Sequence, residues 1–236
     1  MKAVILAGGK GRRLAPYTTV FPKPLMPIGD IPILEVVVRQ LKHAGFAELT
    51  VAVGYLAELL MAYFGDGSKW GVRIRYSREE QPLGTAGPLR LVEGLDETFL
   101  AMNGDLLTNL DYQAMVEHHR SCGAIATMAT FRREVKVDLG VLDVDEGQWV
   151  RGYTEKPTFQ YLVSTGIYLL EPAALEYIPH EERLDMPDLI LRLLAAGQRV
   201  SSYPFQGMWL DIGRPDDYER AVAEFEAHRA EFVPGE

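Results

Sequence analysis

The chain has 236 residues, 47% hydrophobic and 24% charged, the balance of an ordinary globular protein with the length to bury a sizeable core. Its net charge of -9 lacks the basic footprint that nucleic-acid binding needs, so any anion site must be basic only locally. The single cysteine, Cys122, excludes an intrachain disulfide and suits a reducing cytoplasm; no apolar run nears the roughly 20 residues that cross a bilayer, and the first one is too short for a signal peptide.

In chain order, Ala3-Val4-Ile5-Leu6 reads as a short buried strand that stops at Gly8 and Gly9, with Gly11 one residue further on. Ile33, Leu34, Val37, Val38 and Leu41 recur at helical spacing after Pro32, with His43 in the last turn and Gly45 closing the helix. Leu49 to Val53 predicts a strand, Ala57 to Phe64 a helix, Val72 to Tyr76 a strand, and a short helix follows Gly87. Phe99 to Met102 forms a further strand that ends at Asn103-Gly104-Asp105, and Asp111 caps a helix reaching about Arg120. In the second half Ile125 to Arg132, Val137 to Val144, Trp149 to Tyr153 and Val163 to Leu170 read as strands. Helices are expected over Pro172 to Tyr177, Pro187 to Ala196 and Pro215 to about His228, the last with Tyr218, Ala221, Val222 and Phe225 on its core face. No repeat or linker divides the chain. The pattern predicts one α/β domain over 1–236 with a Rossmann-like, mixed but mostly parallel sheet flanked by helices, and a smaller β-rich portion.

Glycines at 8, 9 and 11 allow a sharp bend and a close backbone approach, and successive N–H groups make a nest for phosphate oxygens. Arg12, Arg13 and Lys23 bring positive charge to the same loop. A nucleoside triphosphate carries about four negative charges, and each close pairing is worth about 4 kcal/mol at the effective dielectric of a protein surface. Alone, Gly-Gly-x-Gly is as readily a tight turn. A dinucleotide-binding Gly-x-Gly-x-x-Gly fails because Arg13 and Leu14 stand where its third glycine belongs, and Lys10 is followed by Gly11 rather than the Ser/Thr of a Walker loop. No two of the five histidines are spaced to share a metal on one helix face.

The run Leu6-Ala-Gly-Gly-Lys-Gly-Arg-Arg-Leu-Ala-Pro-Tyr-Thr18, followed by Pro22-Lys-Pro-Leu25 and Pro32-Ile-Leu34, resembles the signature of the sugar-1-phosphate nucleotidylyltransferases, or NDP-sugar pyrophosphorylases. The resemblance implies conversion of a nucleoside triphosphate and a sugar 1-phosphate to an NDP-sugar and pyrophosphate, with Mg2+. It places Arg13 and Lys23 at the catalytic positions, and Leu6, Ala7, Gly8, Gly9, Gly11 and Arg12 on the nucleotide. Gln81, Gly84 and Thr85, in Gln81-Pro-Leu-Gly-Thr-Ala-Gly87, match the base-recognition segment. Asp105 matches the first metal aspartate and Asp211, in Trp209-Leu-Asp-Ile-Gly213, the second. Asn103, Gly140, Glu155 and Lys156 (of Glu155-Lys-Pro157) and Thr165 (of Thr165-Gly166) match contacts to the sugar phosphate. About 1–122 is thus expected to serve mainly the nucleotide, and about 123–236 the sugar and the second metal aspartate.

The resemblance runs from about residue 1 to 225 and predicts no appended β-helix domain. Departures are Arg12 at a small hydroxyl position, Leu139 at a position often aromatic, and a short segment between Pro157 and Thr165. Pro82 to Pro88 and Trp209 to Tyr218 look most like the mannose- or heptose-1-phosphate guanylyltransferases, which points to GTP; uridylyl- and thymidylyltransferases acting on glucose-type or amino-sugar 1-phosphates share most of these residues. A catalytically idle NDP-sugar-binding regulatory subunit is disfavoured because Arg13, Lys23, Asp105, Lys156 and Asp211 all stand together. Glu155-Lys-Pro157 and Thr165-Gly166 disfavour a cofactor guanylyltransferase or a cytidylyltransferase. Neither nucleic acid nor membrane is an expected partner, and a homo-oligomer is compatible with the sequence.

Overall fold

A computed structural model describes residues 1–235. It opens with strand β1 (Lys2–Ala7), followed by 3-10 turns at Arg12–Leu14, Tyr17–Thr19 and Lys23–Leu25, a small hairpin of β2 (Pro27–Ile28) and β3 (Ile31–Pro32), and helix α1 (Ile33–His43). Next come β4 (Glu48–Val53), α2 (Ala57–Phe64), β5 (Arg73–Arg78), a 3-10 turn at Gly87–Leu91, β6 (Phe99–Asn103), β7 (Leu106–Thr108) and α3 (Tyr112–Cys122). The second half holds β8 (Ala126–Lys136), β9 (Val141–Val144), β10 (Val150–Thr154), β11 (Thr158–Leu170), a 3-10 turn at Pro172–Tyr177, α4 (Met186–Ala195), β12 (Val200–Pro204), β13 (Trp209–Asp211), α5 (Pro215–Ala227) and α6 (Arg229–Phe232).

Seven strands form one twisted sheet in the order β12-β8-β11-β6-β1-β4-β5, so both halves of the chain contribute to it. All its pairings are parallel except the two made by β11, which runs antiparallel between β6 and β8. The architecture is therefore the mostly parallel mixed α/β sheet expected. Alternate residues of β1 serve opposite faces, as strand geometry dictates. Ala3, Ile5 and Ala7 pack with α1, α2 and α3, while Val4 packs with Leu89, Ala174 and α4. Helix α1 is buried on two sides: Leu34, Val37, Val38 and Leu41 face the sheet, whereas Ile33 and Val36 join Ala221 and Phe225 of α5 in a third cluster.

The position of the site follows from strand direction. β1, β4, β5 and β6 are parallel, so Gly8, Gly54, Glu79 and Asn103-Gly104-Asp105 all emerge at the same carboxyl edge, where open α/β sheets bind ligands.

Several elements differ from the sequence expectation. Residues 137–140 are not strand, and residues 158–162, ahead of the expected strand, already belong to β11, paired with Arg132–Lys136. The Pro172–Tyr177 segment is a 3-10 turn. Strands β7, β12 and β13 add to the expected set: two have three residues, too few to show a period, and β12 is a polar edge strand ending in Pro204, which only an edge tolerates. His119 is buried between Thr127 Oγ1 and Glu171 Oε1, a structural placement. Cys122 is a partly buried free thiol.

Candidate active site

A cavity of about 1040 Å3 opens at this carboxyl edge. The glycine loop forms one wall, with Leu6 through Arg13 lining it continuously. Gly11 stands at φ +58, and a side chain there would crowd Thr18 Cγ2; the Thr18 hydroxyl in turn donates to the Gly11 carbonyl at 2.8 Å. This left-handed residue turns the chain into the 3-10 turn that carries Arg12 and Arg13. Gly9 faces open space, with nothing near where a Cβ would be. Both arginines are exposed to the cavity.

Lys23 is held by Pro22 and Pro24 at a 3-10 turn and is only 7% exposed. Its ammonium donates to Oδ2 of Asp105 and lies 4.0 Å from Oδ1 of Asp211. The two aspartates meet because β7 and β13 pair antiparallel, with Asp211 opposite Leu106 and the Ile212 N–H donating to the Asp105 carbonyl at 3.3 Å. Burial and the negative charge of Asp105 push the Asp211 carboxyl up from its ordinary value, against the opposing pull of Lys23 and Arg13. The Arg13 guanidinium lies beside Gly213, two residues beyond Asp211.

Oδ1 of Asp105 is buried with no hydrogen-bond partner. Such an orphaned carboxylate oxygen, next to a second acid whose charge is only partly compensated, fits a divalent cation. Among the described residues no group of three or more His, Cys, Asp or Glu could hold a metal by itself. Two carboxylates with phosphate oxygens and waters completing the shell is the habit of Mg2+ rather than of an all-protein cage.

The opposite wall is Gln81 to Thr85, fastened to a segment one hundred residues away. The Gln81 amide donates to the Glu181 carbonyl at 3.4 Å, the Thr85 N–H to Asp185 Oδ1 at 3.1 Å, and the Met186 N–H to the Thr85 hydroxyl at 2.7 Å. Gly84 has φ +83, and a Cβ there would come within 2.5 Å of the Leu184 carbonyl. Asn103 lines the cavity beside Gly166, where the bulge in β11 between Ser164 and Tyr168 brings the backbone close.

The remaining expected residues stand outside that cavity wall. Thr165 is fully buried; its hydroxyl donates to the Ala129 carbonyl at 2.8 Å, and its own carbonyl accepts from Trp209 Nε1 at 3.0 Å. Gly140 sits against Tyr153, whose hydroxyl donates to Glu155 at 2.7 Å. Lys156 is exposed, 3.9 Å from Glu155 Oε1 and at φ +45. Asp211 borders the cavity through Lys23. The structure adds Glu79, Arg183 and Asp185 to the lining. Glu79 lies two residues before Gln81 and reads in sequence as part of a charged surface pair, whereas Arg183 and Asp185 carry no local signal because only the tertiary fold brings them there.

Known proteins resemble this chain over nearly its whole length. The nucleotidyl transferase family model matches residues 2–228. A UTP–glucose-1-phosphate uridylyltransferase from Synechocystis sp. is 36% identical over 94% of this chain and 62% of its own length. A mannose-1-phosphate guanylyltransferase from Mycobacterium tuberculosis is 33% identical over 94% of this chain and 64% of its own length. The chain thus spans less than two thirds of these relatives. A Bacillus anthracis crystal structure, described as a candidate glucose-1-phosphate thymidylyltransferase in complex with a sucrose, aligns with TM-score 0.76 and 26% identity over 95% of this chain and 94% of that one.

Proposed function

Because the chain belongs to the nucleotidyl transferase family, we propose that it transfers a nucleotidyl group to a sugar 1-phosphate, releasing pyrophosphate. One observation carries this reading: Lys23 bridges Asp105 and Asp211 at the edge of a cavity walled by a glycine loop and two arginines. Phosphate chemistry needs that combination, because both reactants are anions and the barrier is largely repulsion and alignment.

In the proposed reaction a phosphate oxygen of the sugar 1-phosphate attacks the α-phosphorus of the triphosphate, and the bond from that phosphorus to the pyrophosphate oxygen breaks. The nucleophile is already ionised, so no general base is needed. Leu6, Ala7, Gly8, Gly9, Gly11 and Arg12 cradle the nucleotide, and Gln81, Gly84 and Thr85 meet its base. Arg13 stabilises charge developing on the triphosphate, and Lys23 holds phosphate oxygens near the attack line. Asp105 and Asp211 hold Mg2+, which when bound neutralises phosphate charge. Asn103, Gly140, Glu155, Lys156 and Thr165 serve the sugar phosphate; for Thr165 the contact falls to the backbone strand, since its hydroxyl is already committed. Residues 1–122 then serve mainly the nucleotide, and residues 123–236 the sugar and the second metal acid. A cytoplasmic setting suits the free Cys122 thiol.

The Pro82–Pro88 and Trp209–Tyr218 segments favour GTP with a mannose- or heptose-type sugar over UTP or TTP with a glucose-type sugar. The test is pyrophosphate release over a matrix of common triphosphates and sugar 1-phosphates, with Mg2+ present and absent. Highest turnover with GTP and a mannose-type substrate supports the finer assignment; highest turnover with UTP and glucose 1-phosphate replaces it. No turnover anywhere overturns the reaction and leaves an NDP-sugar-binding regulatory subunit.

A further inference from the structure

We propose that Glu79 is the positioning residue that locks the glycine loop to the base-binding segment. The proposal rests on the nucleotide-binding reading of this cavity and adds a residue to it.

Three neighbouring parallel strands, β1, β4 and β5, end in register, with Ala7 opposite Val53 and Val53 opposite Arg78. The next residue of each is Gly8, Gly54 and Glu79. The Glu79 N–H donates to the Val53 carbonyl at 3.1 Å, which fixes the start of its side chain beside Gly54. From there the carboxylate reaches back across both glycines. A Cβ on Gly54 would lie 3.0 Å from Glu79 Oε1, and one on Gly8 would overlap that oxygen outright. The other oxygen, Oε2, accepts from the Leu83 N–H at 3.0 Å, inside the Gln81–Thr85 wall. One carboxylate therefore touches both walls of the nucleotide cavity, which it lines itself.

Gly8 accordingly has a different reason from its neighbours to be glycine. Gly9 faces open space and Gly11 needs its left-handed backbone, but Gly8 must leave room for Glu79. The carboxylate is half-buried, no cation lies within ion-pair range of it among the described residues, and burial pushes its pKa up from the ordinary value. An acid kept in that position bears a desolvation cost that the Leu83 N–H only partly offsets.

The test uses the full chain and four variants: Glu79→Ala, Glu79→Gln, Gly8→Ala and the double variant Gly8→Ala/Glu79→Ala. Nucleoside-triphosphate binding is measured by calorimetry, alongside kcat, both KM values and Tm. Glu79→Ala is expected to weaken triphosphate binding roughly tenfold, the scale of one hydrogen bond to a charged acceptor. The KM for sugar 1-phosphate and the Tm should stay near wild type. Glu79→Gln, whose amide oxygen can still accept from Leu83, should restore most of the binding. Gly8→Ala should weaken binding at least as much, because its methyl displaces the carboxylate, yet add little once Glu79 is already alanine.

Equal Gly8→Ala penalties in both backgrounds would overturn the coupling. So would a Glu79→Ala variant that lowers kcat and raises both KM values together, or one that merely melts. A wild-type chain that binds triphosphate without turnover sinks the reaction but leaves this assignment readable by calorimetry. A wild-type chain that binds no triphosphate overturns both.

Discussion

The Lys23 ammonium stands between two carboxylates, hydrogen-bonded to Asp105 and 4.0 Å from Asp211 Oδ1. One buried cation thereby faces the acids at the start of β7 and the end of β13, at the edge of the cavity. The arrangement is electrostatically unequal: Asp105 has the direct partner, whereas Asp211 carries a carboxyl pushed up by burial and by Asp105.

That inequality makes the two asparagine variants distinguishable. Asp105→Asn and Asp211→Asn should each reduce pyrophosphate release by about a hundredfold or more, since each removes a charge from the proposed metal pair. Their stabilities should diverge. A raised carboxyl contributes stability that is present below its unfolded pKa and lost as pH rises through the folded value, so ionised Asp211 opposes folding at neutral pH. Metal-free Asp211→Asn should therefore melt at or above the wild-type Tm at pH 7, while Asp105→Asn, which leaves buried Lys23 a neutral acceptor in place of its hydrogen-bonded counter-charge, should melt lower. Melting curves in chelator check the order, and a reversed order removes the electrostatic account.

For Lys23 and Lys156 the expected kinetic signatures differ because their surroundings do. Lys23→Ala should lower kcat by roughly a hundredfold or more, the scale of losing one preorganised electrostatic donor. Lys156 is exposed, and its contact with Glu155 is a surface ion pair, of a kind worth about 0–1 kcal/mol. Lys156→Ala should leave Tm unchanged and raise the KM for sugar 1-phosphate by roughly tenfold, the scale of one charge-assisted contact. Steady-state kinetics with each substrate varied in turn separate the two, and a common modest effect on all parameters would dissolve the division.

How much of this was legible in the sequence depends on how far each signal reaches along the chain. The glycine loop, Lys23 between its prolines, and Asp105 after a strand are local patterns, and the structure places all three around one cavity. The buried stripe of α1 was likewise readable from spacing, although Ile33 and Val36 serve a second cluster that only α5 supplies. The Asp105–Asp211 pairing depends on two three-residue strands that no periodicity could announce. Glu79 was hidden for a different reason. Its partners are glycines, and the meaning of Gly8 and Gly54 lies in the side chain they make room for, which only the register of three parallel strands reveals.

Glu35 supplies a prediction away from the site. It sits on α1 with its side chain 2% exposed; Arg39 donates to Oε1 from Nε at 2.9 Å and from Nη2 at 2.5 Å, and the Tyr63 hydroxyl donates to Oε2 at 2.8 Å. Burial alone would push its carboxyl up, but the Trp70 indole, Arg39 and Tyr63 more than offset that and hold it below the ordinary 4.5. The Trp70 Nε1 acts from outside ordinary hydrogen-bond geometry, so Arg39 and Tyr63 are the donors to remove in a test. Partial desolvation and the hydrogen bond to charged Glu35 push the Tyr63 phenol up to about 12, so it remains a donor throughout the physiological range. A lowered carboxyl contributes stability above its unfolded pKa, lost as pH falls through the folded value. Glu35→Gln should thus lose about 1.5–3 kcal/mol at pH 7, the worth of hydrogen bonds to a charged group. Urea melts at pH 7 and at about pH 3 should show the deficit shrinking as the wild-type carboxyl itself becomes neutral. Tyr63→Phe should move the acid limb of the wild-type stability profile to higher pH, since one donor to the ionised form is gone. An unchanged deficit at both pH values would mean that Glu35 acts through packing rather than through its charge.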